Sequence, residues 1–229
     1  MSLFVIGDTH LSFGSSKPMD VFEGWAGFEE KLQSNWRARV GPEDTVVIAG
    51  DFSWAMSLEE AAADFRFLHA LPGRKLLVKG NHDYWWTTMA KMDAFKDANG
   101  FGSVFFINNN AYAAGGIAVC GTRGWLMEEN TPQDTKMIRR EAGRLRASVR
   151  AAKQLGGEPV AFLHYPPVGP AGACEPILSV LAEEGVTRCY YGHLHSASAA
   201  RAVTGLYGGI RFSLISGDFL GFRPALVEE

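Results

Sequence analysis

A chain of 229 residues with a formal net charge of −3 and 47% hydrophobic content suits one soluble globular domain spanning residues 1–229. The mild negative charge leaves no clustered positive footprint for nucleic acid, and no apolar run reaches the roughly 18 residues of a membrane span. The opening MSLFVIGDTH meets Asp8 too early for a secretion signal, so the cytoplasm is the expected compartment.

Short apolar runs recur along the chain. LFVIG at 3–7 and TVVIAG at 45–50 read as strands, continuously apolar as in sheets covered on both faces. Ser57 followed by Glu60 marks a helix start, and Leu58, Ala61, Ala62, Phe65 and Leu68 keep helical spacing until Pro72-Gly73 stops it. Strands follow at KLLVKG (75–80) and SVFFI (103–107), and FINNNAYAAGG (106–116) reads as a hairpin leading into GIAVCG at 116–121. A second long helix is predicted from about Pro132 to Gln154, with Ile138, Ala142, Leu145, Val149 and Ala152 on one face and a basic opposite face that reads as solvated. VAFLH (160–164) and TRCYYGH (187–193) are further strands, and the residues after Gly217-Asp218 continue a strand into a tail without functional signature. Alternating strands and helices imply an α/β layered domain, its strands in two sheets or one large one. Cys120, Cys174 and Cys189 are odd in number and widely spaced, which disfavours disulfides and thiolate zinc sites and leaves reduced core residues.

Polar residues gather where these strands end. VIGDTH ends in Asp8 and His10, VVIAGD in Asp51, LLVKGNHD in Asn81, His82 and Asp83, VAFLH in His164, and CYYGHLH in His193 and His195. Ligands of open α/β sheets bind beyond the carboxyl ends of strands, so residues far apart in sequence can converge there. Of the six histidines only His69, inside the first helix, lies elsewhere, and it reads as structural. Carboxylates, imidazoles and one amide oxygen form a mixed N/O set suited to Mn, Fe, Zn, Co or Ni. The set is too large for one tetrahedral ion and suits two ions about 3.5–4 Å apart, the arrangement that clamps both oxygens of a phosphoryl displacement.

Asp-x-His, Gly-Asp, Gly-Asn-His-Asp, a later His and Gly-His-x-His, in that order over residues 8–195, resemble the motifs of the calcineurin-like metallophosphoesterases. The resemblance implies a four-layer α/β/β/α sandwich of two mixed sheets. It implies two divalent or mixed-valence transition metal ions, one held by Asp8, His10, Asp51 and His195, the other by Asp51, Asn81, His164 and His193, with Asp51 as the bridge. His82 would be the general acid for the leaving oxygen and Asp83 would orient its ring, while a metal-bridging hydroxide attacks a phosphate mono- or diester in line. The expected partner is a small phosphorylated substrate.

The Asp-Arg-Gly and Gly-Asn-His-Glu motifs of phosphoprotein phosphatases are absent, replaced by GDFSWAMS and GNHD. This disfavours protein dephosphorylation and looks more like the bacterial phosphodiesterase and small-molecule phosphatase branches. Arg123 in GTRGW could supply the missing phosphate clamp. Trp54, Trp85, Trp86 and Trp125 read as core or as pocket walls, and SFGSSKPMDVFEGW after His10 as a loop over the site that carries Lys17. A nuclease of the same fold and a non-catalytic metal-binding scaffold are the alternatives. All the motif positions are filled, which speaks against the scaffold.

Overall fold

Four parallel strands form the first half of the chain, each an apolar run that the sheet buries on both faces. In the computed structural model, which describes residues 1–125, 131–170 and 172–227, they are β1 (Leu3–Ile6), β2 (Thr45–Ala49), β3 (Arg74–Val78) and β4 (Val104–Phe106). Helices α1 (Phe28–Arg39), α2 (Leu58–His69) and α3 (Met89–Ala98) connect them. The second half runs β5 (Tyr112–Ala114), β6 (Ile117–Thr122), α4 (Pro132–Gln154), β7 (Glu158–Leu163), the small hairpin β8 (Val168–Gly169) and β9 (Gly172–Ala173), then α5 (Glu175–Glu183) and β10 (Arg188–Tyr191). It closes with β11 (Gly205–Tyr207), β12 (Ile210–Leu214) and β13 (Ala225–Leu226).

Two mixed sheets result, with strand orders β13-β1-β2-β3-β4 and β11-β12-β10-β7-β6-β5. Each has four parallel strands; the first adds one antiparallel edge, β13, and the second adds two, β11 and β5. The two-residue alternation of strands sorts the core into three slabs. Leu3, Val5, Val47 and Val78 of the first sheet meet Val119, Val160 and Phe162 of the second. Phe4, Ile6, Val46 and Ile48 point the other way onto α1 and α2, and Cys120, Leu163, Cys189 and Phe212 point onto α4 and α5. The layers are therefore helix, sheet, sheet, helix, the four-layer α/β/β/α sandwich expected from the motifs.

Helix α2 starts as predicted, with Ser57 Oγ accepting the Glu60 N–H at 3.3 Å, although the Glu60 carboxylate returns to the Met56 N–H (2.8 Å) rather than to Ser57. Helix α4 spans the predicted residues, opens with a Thr131–Asp134 capping box and Pro132, and buries Ile138, Ala142, Leu145, Val149 and Ala152. His69 is structural, its Nδ1 2.8 Å from Ser103 Oγ, and all three cysteines are buried and unpaired.

The expected course of residues 106–116 is not found. Residues 106–116 are not a hairpin between paired strands, because β4 pairs with β3 in the first sheet whereas β5 pairs with β6 in the second. Asn110 explains the crossing: its amide oxygen accepts the Asn108 N–H at 2.8 Å and its NH2 donates to the Phe106 carbonyl at 3.1 Å, so side-chain bonds turn the chain from one sheet to the other. The hairpin lies one step later, at Gly115-Gly116.

Candidate metal centre

The carboxyl ends of β1, β2 and β3 in one sheet and of β7, β10 and β12 in the other open at the same edge of the sandwich. The sheets touch there: Gly7 N–H donates to the Ile215 carbonyl (2.7 Å), and the segments after β1 and β2 run side by side through Asp8 N–H to Gly50 carbonyl and His10 N–H to Asp51 carbonyl, both 2.9 Å. Four of the seven non-glycine residues with positive φ among the described residues are Asp8, His10, Asp51 and His193. Such conformations cost roughly 1–2 kcal/mol each and persist where the surroundings hold them, typically at functional sites.

This backbone brings all seven predicted ligand residues together. Asp8, His10 and His195 form one group and Asp51, His164 and His193 another, with ligand atoms inside each group within 4.8 Å of one another. Asn81 joins the second group, its Oδ1 lying 2.7 Å from His164 Nε2. Asp51 Oδ2 faces both groups, 3.7 Å from His10 Nε2 and 3.5 Å from His164 Nε2. The N–H of His193 donates to both oxygens of Asp8 at 3.0 Å. Glycine is required at two close approaches. A Cβ on Gly80 would sit 2.1 Å from Asp51 Oδ1, and one on Gly192 would sit 2.3 Å from Asp8 Oδ2.

The residues fit a pair of cations. His10 Nε2 and His195 Nε2 face each other at 3.3 Å, as do His193 Nδ1 and His164 Nε2 at 3.2 Å. Two ligands about 2.1 Å from one ion, at angles between octahedral and tetrahedral, lie about 3.0–3.4 Å apart. At two of these rings the outer nitrogen takes a partner and leaves the inner lone pair free: His164 Nδ1 lies 3.3 Å from the Ala49 carbonyl, and His195 Nδ1 lies 2.9 Å from Asp218 Oδ1, whereas the buried Nδ1 of His10 has no partner among the described residues. A ring N–H spent on an outer acceptor directs the other nitrogen at a metal.

Electrostatics agree. Burial, then the neighbouring Asp8, push Asp51 up to about 8. Burial opposes charge on His195, but hydrogen bonds to Asp218 and Asp8 outweigh it and lift its pKa to about 10. Asp8 is held below the usual carboxylate range, because the bond to His195 and the surrounding imidazoles outweigh its burial. Two buried carboxylates side by side call for positive charge between them, and divalent ions supply it.

The His82–Asp83 pair expected from the motif does not form. Asp83 is buried and turned towards the backbone, where its Oδ2 accepts the N–H groups of Asp51 (3.0 Å) and Gly80 (2.6 Å). Its Oδ1 accepts those of Phe52 (2.9 Å) and Ser53 (3.3 Å) and the indole N–H of Trp85 (3.1 Å). With five donors on two oxygens, no lone pair is left for the imidazole. His82 instead has its Nδ1 3.2 Å from the Tyr84 hydroxyl, its backbone N–H on Asp51 Oδ1 (2.8 Å) and its ring 4.2 Å from that of Trp54.

Trp54 also stacks on His10, at 5.0 Å between centroids and 24° between planes, and Lys17 Nζ lies 6.0 Å above it. Trp54 thus walls the site as one of the two readings held, whereas Trp85 is core. Arg123 stacks on Trp125 at 4.7 Å, and its carbonyl accepts the His164 N–H at 3.2 Å. Its side chain lines an adjoining cavity rather than the ligand groups. Two contributors escaped the sequence reading. Asp218 orients His195 and accepts the Ser196 N–H at 2.9 Å, although ISGD after an apolar strand repeats the form of VVIAGD. Trp25, 1% exposed, presents an edge to His10 and His195 with centroids 5.7 and 5.8 Å away.

Two mixed sheets between helices, with Asp, His and Asn converging at one edge as two neighbouring ligand groups, define a metallophosphoesterase-type domain. The calcineurin-like phosphoesterase family model matches residues 1–197, and the chain belongs to that family. TT1561 of Thermus thermophilus is similar in structure, with a TM-score of 0.60 at 13% identity over 99% of this chain and 97% of that one. The phosphopantetheinyl hydrolase PptH from Mycobacterium tuberculosis has a TM-score of 0.53 at 16% identity over 99% and 96%. At these identities the likeness shows the fold alone. No curated protein matches the chain. No helix among the described residues is long and apolar enough to cross a membrane.

Proposed function

We propose that the chain hydrolyses a phosphate mono- or diester at two metal ions, one held by Asp8, His10, Asp51 and His195 and the other by Asp51, Asn81, His164 and His193. The observation that carries this reading is the position of Asp51 Oδ2, which faces His10 of one group and His164 of the other. Bound there, two ions supply Lewis acidity and an activated water for in-line displacement at phosphorus. The protein's own part is to hold the groups and to move one proton.

In this reading His82 carries that proton. Tyr84 engages Nδ1, which leaves Nε2 to protonate the leaving oxygen, and Trp54 covers the ring. Burial lowers the His82 pKa, so its imidazolium is a stronger acid while a smaller part of the ring is protonated at neutral pH. Tyr84 takes over the orienting role that the motif would have assigned to Asp83.

The test is turnover of p-nitrophenyl phosphate and bis-p-nitrophenyl phosphate by protein stripped of metal and reconstituted with Mn²⁺. Restored turnover is the expected result, and the preferred ester sorts monoesterase from diesterase. Inert protein with two ions bound per chain would reject the reading. In the same assay His82→Ala is expected to keep its metal and to lose about 10²–10⁴-fold in rate on alkyl esters, with a smaller loss on p-nitrophenyl esters, which leave without help. Equal losses on both would remove His82 from the acid role.

A further inference from the structure

The chain carries net negative charge, yet four cations converge on one cavity of about 370 Å³. Lys79, at the end of β3, Arg123, after β6, and Arg140 and Arg144, one turn apart on α4, line it, and among the described residues the one carboxylate in its lining is Glu141. That volume is in the range of small-molecule sites, about 300–1,000 Å³. Most of the other basic residues late in α4 are neutralised. Arg146 pairs with Glu183 and Glu184, and Arg150 and Lys153 pair with Glu184. The solvated basic face expected from sequence is thus divided between salt bridges to α5 and this cavity.

Among the described residues only part of the cavity's positive charge is cancelled from within. Glu141 is buried and already committed, accepting from Arg144 at 2.7 Å and from the Thr122 hydroxyl at 2.6 Å. Among the described residues no carboxylate pairs with Lys79, Arg123 or Arg140, and the buried Nε of Arg123 has no acceptor. Guanidinium groups gathered with donors to spare are matched by an oxyanion, and phosphate accepts their paired N–H groups in bidentate fashion. The cavity also adjoins the metal centre: Lys79 precedes Asn81 by two residues, and the Arg123 carbonyl holds the His164 backbone.

We propose that this cavity is a subsite for a second phosphate group on the substrate, so that the enzyme's substrates are phosphoesters carrying a further phosphate away from the bond that is cleaved. The substrate role rests on the phosphoesterase reading above, whereas the anion site does not. The first arm of the test is calorimetric titration of inorganic phosphate into protein held in EDTA. Wild-type protein is expected to bind phosphate, and Arg140→Glu to weaken it by about tenfold or more. Arg140 is exposed and unpaired among the described residues, so this change leaves the buried Glu141–Arg144 pair in place. Absence of binding, or binding that Arg140→Glu leaves intact, would overturn the subsite.

The second arm compares thymidine 5′-(p-nitrophenyl phosphate) with its 3′-phosphorylated form, using Mn²⁺-loaded protein. The added phosphate is expected to lower KM by about tenfold, and Arg140→Glu to abolish that gain. Equal KM values with phosphate binding intact would make this a site for free phosphate and overturn the substrate role. If every ester including bis-p-nitrophenyl phosphate is inert while phosphate still binds, the catalytic reading fails and the anion site stands.

Discussion

Asp51→Asn is expected to bind fewer than one metal ion per chain and to turn over phosphoesters about 10³-fold more slowly than wild type. Asp51 Oδ2 faces the inner nitrogens of both groups, His10 Nε2 on one side and His164 Nε2 on the other, whereas Asp8 Oδ1 meets His195 Nε2 but reaches His164 only at its outer Nδ1. The amide removes a full negative charge and offers a neutral oxygen or an NH2 at the position shared by two cations. Losing about 4 kcal/mol of charge stabilisation at the reacting phosphoryl group corresponds to about 10³ in rate. Folding is expected to survive, because Asn retains one carbonyl oxygen to accept the His82 N–H that Asp51 Oδ1 now accepts at 2.8 Å. Metal analysis by mass spectrometry separates this from a purely chemical defect. Two ions retained per chain at full rate would rule out Asp51 as the bridge.

The convergence of these residues was legible because each follows an apolar strand, and strand ends in α/β sandwiches point to one edge. Once the backbone brings β1, β2, β3, β7 and β10 to that edge, Asp8, Asp51, Asn81, His164, His193 and His195 meet with no further information needed. Helices α2 and α4 were legible through caps and regular stripes. Helix α1 was overlooked because most of FEEKLQSNWRAR is charged or polar, yet Phe28, Leu32 and Trp36, spaced by four, carry all its burial. Side-chain direction was not legible at all. Adjacency in GNHD suggested that Asp83 serves His82, but neighbouring residues at a turn can face opposite ways, and here one faces the site and the other the backbone beneath it. Asp218 was missed for the converse reason, since it is 23 residues from His195 and only the sheet order brings them together.

That reassignment of Asp83 predicts a folding defect where the motif alone predicts a catalytic one. Asp83→Ala is expected to destabilise the protein by about 4 kcal/mol and to lower its thermal midpoint by roughly 8–16 °C, because it strands five buried donors at once. Each unsatisfied buried N–H costs about 1–3 kcal/mol, and local relaxation recovers part of the sum. The donors include the backbone of Asp51, Phe52 and Ser53 and that of Gly80, so the same carboxylate ties the loop after β2 to the loop after β3. It is fully enclosed, and burial followed by the charge of Asp51 raises its pKa to about 7, against the lowering effect of the Gly80 and Ser53 N–H groups. Asn in its place would keep one acceptor but would turn an NH2 towards N–H groups, so Asp83→Asn should fall between Ala and wild type in stability. Thermal unfolding in EDTA isolates this effect from any gain by bound metal. If Asp83→Ala melts within a degree of wild type and loses only rate, the carboxylate serves the imidazole after all. If both its melting temperature and its metal content fall, Asp83 is the clamp that holds Asp51 between the two ligand groups.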